Sequence, residues 1–301
     1  MTEKKSKDQI PTTGHVWDGI EELDTPMPRW WLWIFYATII WGILYTIFYP
    51  AWPMISKATP GLLGYSTRAE LAAQISIVEE AKADINGRII TTDIREIRKN
   101  QELDLYARNT GAAIFKTWCA QCHGSGAAGV QAAGYPNLID NDWLWGGSVE
   151  EILYTINHGI RSEADEDTRI SEMPAFGEVL SGQEIKMVVN YVMSMTGEPK
   201  DVNLVSEGQI IFEDNCSICH GEGGKGDREL GVPHIADAIW LYGGDYDRLI
   251  DTVTIGRSGV MPSWKTRLSE AEILSTAIYV HSLGGGESPT DLVHDVPSTT
   301  D

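Results

Sequence analysis

Two pentapeptides of the chain have the pattern Cys-x-x-Cys-His, and together they contain all four cysteines. In this pattern the two thiols can add to the vinyl groups of a haem, and the adjacent imidazole can take an axial position on the iron. Cysteines three positions apart lie on one side of a helical turn and can hold the macrocycle along one edge. We therefore predict two covalently attached c-type haems. The attachment residues are Cys119, Cys122, Cys216 and Cys219, and the axial imidazoles are those of His123 and His220.

The same cysteines are compatible with other chemistry. Two Cys-x-x-Cys pairs could form a four-thiolate zinc site, and either pair alone could be a redox dithiol. Neither alternative needs a histidine directly after both pairs. A zinc site would also favour pairs closer together than these, which are separated by the length of a whole domain. Both features favour haem.

The surroundings of the two motifs recur along the chain, which indicates a duplicated unit. At first the matching positions are 97 residues apart: Gly111 with Gly208, Phe115 with Phe212, Trp143 with Trp240, and Gly159 with Gly256. Further on the offset is 88, and Met173-Pro174 matches Met261-Pro262. The first copy therefore has nine additional residues between Gly159 and Met173. Their acidic composition predicts a solvent-facing loop, and the sequence leaves open whether residues 162–170 form a docking surface.

Each copy resembles a small class I cytochrome c domain, with a helix entering the haem motif, a loop, a methionine and a closing helix. The fold prediction is therefore mainly α, with two such domains in tandem at residues 105–199 and 202–285. The resemblance implies Met173 and Met261 as the second axial ligands, and soft sulfur suits a buried iron. Ligation within each copy is the default expectation, because an exchange would require the two domains to pack together. With both axial positions filled, such haems transfer electrons and bind no substrate.

Three further pairs of residues are candidates for the haem surroundings. A proline carbonyl can orient the ligand imidazole, arginine can pair with haem propionates, and tryptophan can exclude water from the pocket. Turn formation would also explain the prolines, and core packing the tryptophans. The pairs are Pro136 and Pro233, Arg161 and Arg257, and Trp143 and Trp240.

The run from Trp30 to Ile55 has no charged residue and is long enough to cross a bilayer as one helix. A cleaved signal peptide is the alternative, but the apolar run is too long for one. Basic residues are more numerous before this run than directly after it, which predicts a cytoplasmic segment at residues 1–29. We therefore expect a single-pass protein of the bacterial inner membrane, with periplasmic haem domains.

The remaining segments carry weaker signals. Residues 56–104 predict a helical linker of short amphipathic helices, and residues 286–301, rich in Ser, Thr, Pro and Asp, predict a disordered tail. Residues 1–58 contain five of the 23 basic and six of the 43 acidic side chains, so nearly all of the net charge of −20 follows them. This charge argues against nucleic acid as a partner. Attraction of a positively charged soluble electron donor and plain solubility both explain it.

The N-terminal segment resembles one particular protein family. The stretch from Gly14 to Asp24, followed by Pro26-Met27-Pro28-Arg29-Trp30-Trp31, closely resembles the start of the diheme subunit III of cbb3-type cytochrome c oxidases, the CcoP/FixP family. With the two haem domains, the resemblance spans nearly the entire chain. It implies a subunit that takes electrons from a soluble periplasmic cytochrome c. It also implies two partner chains: a monohaem cytochrome c subunit and a haem-copper catalytic subunit, which reduces oxygen and pumps protons.

Two other functions share part of this evidence. A diheme enzyme, such as a peroxidase or a thiosulfate-oxidising cytochrome, would need an iron with an open or unusual axial position. A free-standing, membrane-tethered electron shuttle would have every site residue in common and differ only in its partners. The family resemblance places catalysis in another chain, so we expect no catalytic centre in this one. The haem potentials, the order of electron entry and the identity of the donor are open at this stage.

Overall fold

Helices dominate the computed structural model, which describes residues 11–197 and 199–287 and confirms the mainly α class. The chain divides into two compact units, residues 1–81 and 82–301. The helices are α1 Arg29–Phe48, α2 Thr67–Thr91, α3 Ile94–Ile97, α4 Gln101–Ile114, α5 Ala120–His123, α6 Val149–His158, α7 Gly182–Thr196, α8 Val205–Asn215, α9 Ser217–His220, α10 Tyr246–Ile255 and α11 Glu270–His281. The strands are β1 Thr12–Trp17 and β2 Ile20–Leu23.

The first unit begins with a β-hairpin that the sequence analysis did not predict. Strands β1 and β2 pair antiparallel, with Val16 opposite Glu21 and Trp17 opposite Ile20. The two residues of the turn, Asp18 and Gly19, both have positive φ, at 49° and 83°. Asp-Gly is favoured in such two-residue turns, so this dipeptide was the available signal. All residues of both strands are exposed.

Helix α1 is the candidate membrane span, and its 20 residues are exposed or half-buried. At a rise of about 1.5 Å per residue it is roughly 30 Å long, which matches the hydrocarbon core of a bilayer. The predicted span to Ile55 is too long: the helix ends at Phe48, because Pro50 disfavours helical geometry at the residue before it. The carbonyls of Ile47 and Phe48 accept hydrogen bonds from Leu62 and Leu63, at 2.9 and 3.1 Å.

The linker also differs from the prediction. In place of short helices near residue 70, one helix of 25 residues, α2, runs from Thr67 to Thr91, and Ile89 is its one buried residue. The boundary between the two compact units falls within α2. The side chain of Asn100 then caps α4 by accepting hydrogen bonds from the amides of Glu102 and Leu103. Helix α4 therefore begins before residue 105, the predicted start of the first domain.

In the second unit, each repeat completes its core with the closing helix of the other repeat. Helix α4 of the first repeat packs against α11 of the second, and α7 of the first packs against α8 of the second. Helix α6 also packs against α11, and α10 packs against α7. The first core therefore combines Phe115 and Ile152 with Leu274 and Ile278, whereas Phe212 packs with Val188 and Val192 in the second.

Both helix crossings depend on matched residues. A Cβ at Gly111 would overlap the carbonyl of Ser275 in α11, and a Cβ at Gly208 would overlap the carbonyl of Met187 in α7. One turn further on, an aromatic pair fills each crossing. The ring centroids lie 5.6 Å apart in the pair Phe115 and Tyr279, and 5.3 Å apart in the pair Phe212 and Tyr191. Each pair joins the two repeats.

The closing helices begin at equivalent capping boxes. At α7 both backbone hydrogen bonds of the box are present, between Ser181 and Glu184. At α11 the amide and the hydroxyl of Ser269 both donate to the carboxylate of Glu272, at 2.8 Å. Such a box satisfies two free amides at a helix start. Both helices therefore have a sequence-encoded start directly after the loop that carries Met173 or Met261.

The first two residues of the predicted disordered tail are ordered. The amide of Glu287 donates to the carbonyl of Gly147 at 2.9 Å, and the carbonyl of Glu287 accepts from Nε2 of His281 at 2.8 Å. Residues 288–301, the rest of that prediction, lie outside the described part of the chain.

We predict that Gly111→Ala destabilises the protein by about 1–3 kcal/mol, because the added methyl group forces α4 away from α11. Gly182→Ala is the matched control, since a Cβ there meets no atom within 4 Å. Thermal unfolding of the full chain in detergent, followed by circular dichroism, measures both. Equal melting temperatures for the two variants would contradict the close crossing.

Candidate functional site

Both Cys-x-x-Cys-His motifs lie in helical backbone at the end of a repeat's first helix. A π-helical turn, Phe115–Cys119, joins α4 to α5, which contains Cys122 and His123. In the second repeat Cys216 separates α8 from α9, and α9 contains Cys219 and His220. Helical spacing puts the two thiols of each motif on one side, as attachment along one haem edge requires.

The imidazoles of both motifs make the same hydrogen bond. Nδ1 of His123 lies 3.2 Å from the carbonyl oxygen of Pro136, and Nδ1 of His220 lies 3.2 Å from that of Pro233. A carbonyl can only accept, so Nδ1 is the donor and Nε2 is left to bind a metal. Burial lowers the pKa of both imidazoles, an effect that the carbonyl partly opposes. The neutral imidazole is the form that ligates iron.

The thiols do not have the properties of a redox dithiol or of a zinc site. Burial, and secondarily the neighbouring cysteine, raises the pKa of Cys119 and of Cys216 to about 11. Dithiols that exchange disulfides need a lowered thiol pKa. Among the described residues, the group of metal-ligating side chains that converge is His158, Asp165 and Asp167, and it includes no cysteine. The residues present therefore fit two separate covalent haems.

The methionine segments lie across the boundary between the repeats. Ile160 of the first repeat and Met261 of the second exchange backbone hydrogen bonds of 2.9 and 3.0 Å, and Met173 forms a bridge with Arg257. Glycines make these approaches possible, because a Cβ at Gly159 would overlap the carbonyl of Met261. A Cβ at Gly256 would likewise overlap the carbonyl of Met173.

Met261 accordingly packs against the same core as Cys119 of the first haem motif. Its half-buried side chain belongs to the core that includes Phe115 and Cys119 of the first repeat and Trp264 of the second. Helices α7 and α10 pack together after the Met173 segment, in the core that Cys216 contacts. This packing does not favour the default expectation, in which each methionine ligates the haem of its own repeat. The segment after each methionine packs against the other repeat.

The two candidate arginines contact backbone and aromatic groups. Nε of Arg161 donates to the carbonyl of Gly259 at 2.6 Å, and its terminal nitrogen donates to the carbonyl of Ser171. The guanidinium of Arg257 lies 5.2 Å from the ring centre of Tyr242. Burial lowers the pKa of Arg161. Pairing of either arginine with a haem propionate stays a prediction.

The candidate tryptophans occupy equivalent places in the two cores. Trp143 packs with the first core, and its indole nitrogen donates to the carbonyl of Gly285 at 2.6 Å. Trp240 packs with the second core, and its carbonyl accepts from the side chain of Gln131 at 2.7 Å. Both rings contact buried parts of the haem-bearing unit, which agrees with core packing as well as with a pocket wall.

The nine-residue insertion is only partly a solvent-facing loop. Glu163, Glu166 and Asp167 are exposed, but Asp165 is buried. The insertion contains another buried charge, Arg169, whose guanidinium lies 5.0 Å from the ring centre of Trp145 and also pairs with Glu151. Arg169 is not among the site residues predicted from the sequence. It has no counterpart in the second repeat, so the repeat comparison could not identify it.

Comparisons with protein families cover most of the chain. The family model described as the N-terminal domain of cytochrome oxidase-cbb3, FixP, matches residues 9–56. The model described as cytochrome C oxidase, cbb3-type, subunit III, matches residues 107–192 and 203–280. The first match includes the hairpin and α1, and the second includes both haem motifs.

Curated relatives match over nearly their full length. A cbb3-type cytochrome c oxidase subunit CcoP of Cereibacter sphaeroides is 54% identical over 286 residues, covering 94% of this chain and 98% of the relative. A subunit FixP of Sinorhizobium medicae is 50% identical over 278 residues, with 92% and 96% covered. A subunit FixP of Bradyrhizobium diazoefficiens is 47% identical over 293 residues, with 95% and 100% covered.

We predict that replacing Cys216 and Cys219 together by alanine reduces the covalent haem content from two per chain to one, because thioether bonds need the thiols. Haem staining after denaturing electrophoresis and the ratio of haem to protein measure this. Ile218→Ala, in the same motif and at an 86% exposed side chain, is the control and should keep both haems. Two haems in the double-alanine variant would contradict the assignment.

Proposed function

The chain belongs to the subunit III family of cbb3-type cytochrome c oxidases, and we propose that it receives electrons from a soluble cytochrome c and passes them to its partner subunits. It is an electron-transfer subunit of that oxidase and carries two covalently attached c-type haems. The proposed route continues through a monohaem subunit to a haem-copper subunit, where oxygen is reduced and protons are pumped. The net charge of −20 supports a cationic donor.

The proposed topology has residues 1–29 in the cytoplasm, α1 in the inner membrane and both repeats in the periplasm. The apolar composition and length of α1 support one crossing. Lys4, Lys5, Lys7 and Arg29 precede the span, whereas Lys57 and Arg68 follow it closely. This bias favours a cytoplasmic N-terminus.

The observation that carries the proposed ligation is the exchange of closing helices between the repeats. Met261 shares its core with Cys119 of the first motif, so His123 and Met261 are the proposed axial pair of the first haem. The equivalent packing of α7 with α8 and α10 makes His220 and Met173 the pair of the second. A thioether opposite an imidazole raises the reduction potential of a haem relative to two imidazoles.

The roles of the chain's own groups follow from this arrangement. Each bound haem supplies an iron that alternates between the ferric and ferrous states. The cysteines would hold each haem along one edge, and the methionines would supply the sulfur ligands. The carbonyls of Pro136 and Pro233 fix the ring orientation of the imidazoles. Because two protein side chains fill both positions, these sites are suited to electron transfer and offer no place for oxygen or peroxide.

We expect the chain to co-purify in mild detergent with a monohaem cytochrome and an oxygen-reducing subunit. Haem staining and mass spectrometry identify the subunits, and oxygen consumption with reduced soluble cytochrome c measures the activity. Recovery of the chain free of any oxygen-reducing complex would contradict the proposed function and favour the free-standing shuttle. Rapid peroxide turnover by the chain alone would favour the diheme enzyme.

The exchanged ligation predicts which methionine serves which haem. In the variant that lacks Cys216 and Cys219, the single haem is at the first motif. We expect Met261→Ala to remove the long-wavelength absorption band of methionine-ligated ferric haem from this variant. Met173→Ala is the control, and we expect it to leave the band in place.

A chain that lacks Cys119 and Cys122 provides the reciprocal test, in which the expected effects of the two substitutions are reversed. Loss of the band with Met173→Ala in the first background would show ligation within one repeat.

A further inference from the structure

The buried carboxylate of Asp165 connects the insertion of the first repeat to the segment that follows Met261. Its side chain is fully buried and lies 2.8 Å from Nζ of Lys265 and 3.0 Å from Oγ of Ser263. On the first-repeat side, it accepts from the amide of Asp167 at 3.0 Å and lies 3.3 Å from Nδ1 of His158. One carboxylate therefore has partners in both repeats.

Further hydrogen bonds tie the same two segments together. The amide of Ser263 donates to Oγ of Ser162 at 3.1 Å, and Oγ of Ser263 lies 2.6 Å from the carbonyl of Asn157. Ser162 and Ser263 are both buried. Ser263 is two residues after Met261, so these contacts hold the backbone directly beyond the proposed ligand.

The charge of Asp165 is balanced within the protein. Lys265 holds the pKa of the Asp165 carboxyl well below its usual range, and Asp165 in turn raises the pKa of Lys265. A buried carboxylate without such partners would be strongly destabilising. His158, Asp165 and Asp167 could also surround a metal ion, but the ammonium group of Lys265 already neutralises the buried carboxylate. The group is therefore an ion-pair network.

The second repeat has no counterpart of the nine-residue insertion, which supplies Ser162 and Asp165 to this network. The Met261 segment is held by its pairing with Ile160 and by the Asp165 contacts. The Met173 segment has the corresponding bridge, with Arg257, but the second repeat, against which it packs, contains no residues equivalent to the insertion. The two proposed methionine ligands are therefore supported unequally.

We propose that Asp165 is a positioning residue that fixes the Met261 segment beside the first haem. This rests on the proposed pairing of His123 with Met261. If Asp165 holds this segment, the resistance of the first haem's methionine ligand to displacement depends on Asp165. The resistance of the second haem's methionine ligand does not. The insertion then has a structural role in ligation through its buried residue Asp165, while Glu163, Glu166 and Asp167 stay exposed.

The test uses the purified oxidase complex and free imidazole as the competing ligand. Loss of the methionine band of the ferric haems is followed as imidazole is added. In Asp165→Asn, we expect half of the band to be lost at an imidazole concentration at least about tenfold lower than in the wild type, because the uncharged amide no longer forms the ion pair with Lys265. Glu166→Gln removes a neighbouring exposed charge and should match the wild type.

Two further variants show which haem is affected by the loss of Asp165. In a Met261→Ala background, in which this chain contributes only the band of its second haem, Asp165→Asn should cause no further shift. Ser263→Ala removes one contact of Asp165 and keeps both charges, so we expect a smaller shift in the same direction. If Asp165→Asn fails to assemble, the shift measured for Ser263→Ala tests the positioning role.

Equal imidazole titrations for wild type, Asp165→Asn and Ser263→Ala would overturn the positioning role. A shift that persists in the Met261→Ala background would overturn it as well, because the effect would then lie at the second haem. Absence of the methionine band from the wild type would instead refute the proposed ligation, which is a separate outcome.

Discussion

Two helix crossings at glycine determine how the haem-bearing unit is arranged. Gly111 brings α4 against α11, and Gly208 brings α8 against α7, at distances that leave no room for a side chain. Because each crossing joins helices from different repeats, the closing helix and the methionine segment before it are exchanged. The aromatic pairs, the methionine placement and the composition of both cores follow from this exchange.

The exchange also places the two haem motifs within one compact unit. Loop contacts between the repeats are reciprocal: Trp145 of the first repeat packs on Gly231, and Tyr242 of the second packs on Gly134. A unit in which each site contains groups from both repeats does not separate into two independent cytochromes. For an electron-transfer subunit, this keeps the relative position of the two proposed haem sites fixed by packing.

Much of the site could be predicted from the sequence because its elements are local. The spacing of the cysteines, histidines and methionines is encoded within short segments, and the capping boxes mark the helix starts. The exchange is not local. The repeat offset is the same whether Met261 completes its own repeat or the other, since matched glycines and aromatic residues fit both arrangements. The burial of Asp165 could not be predicted from the sequence either, because its partners Ser263 and Lys265 are about 100 residues away along the chain.

The most direct measurement of the exchange is cleavage between the repeats. A protease site inserted in the connection between α7 and α8 would be cut in the purified full chain, and the product analysed by size-exclusion chromatography in detergent. If the repeats exchange their closing helices, the two halves stay associated and keep both methionine bands until a denaturant is added. Separation into two folded halves, each with its own methionine-ligated haem, would contradict the exchange.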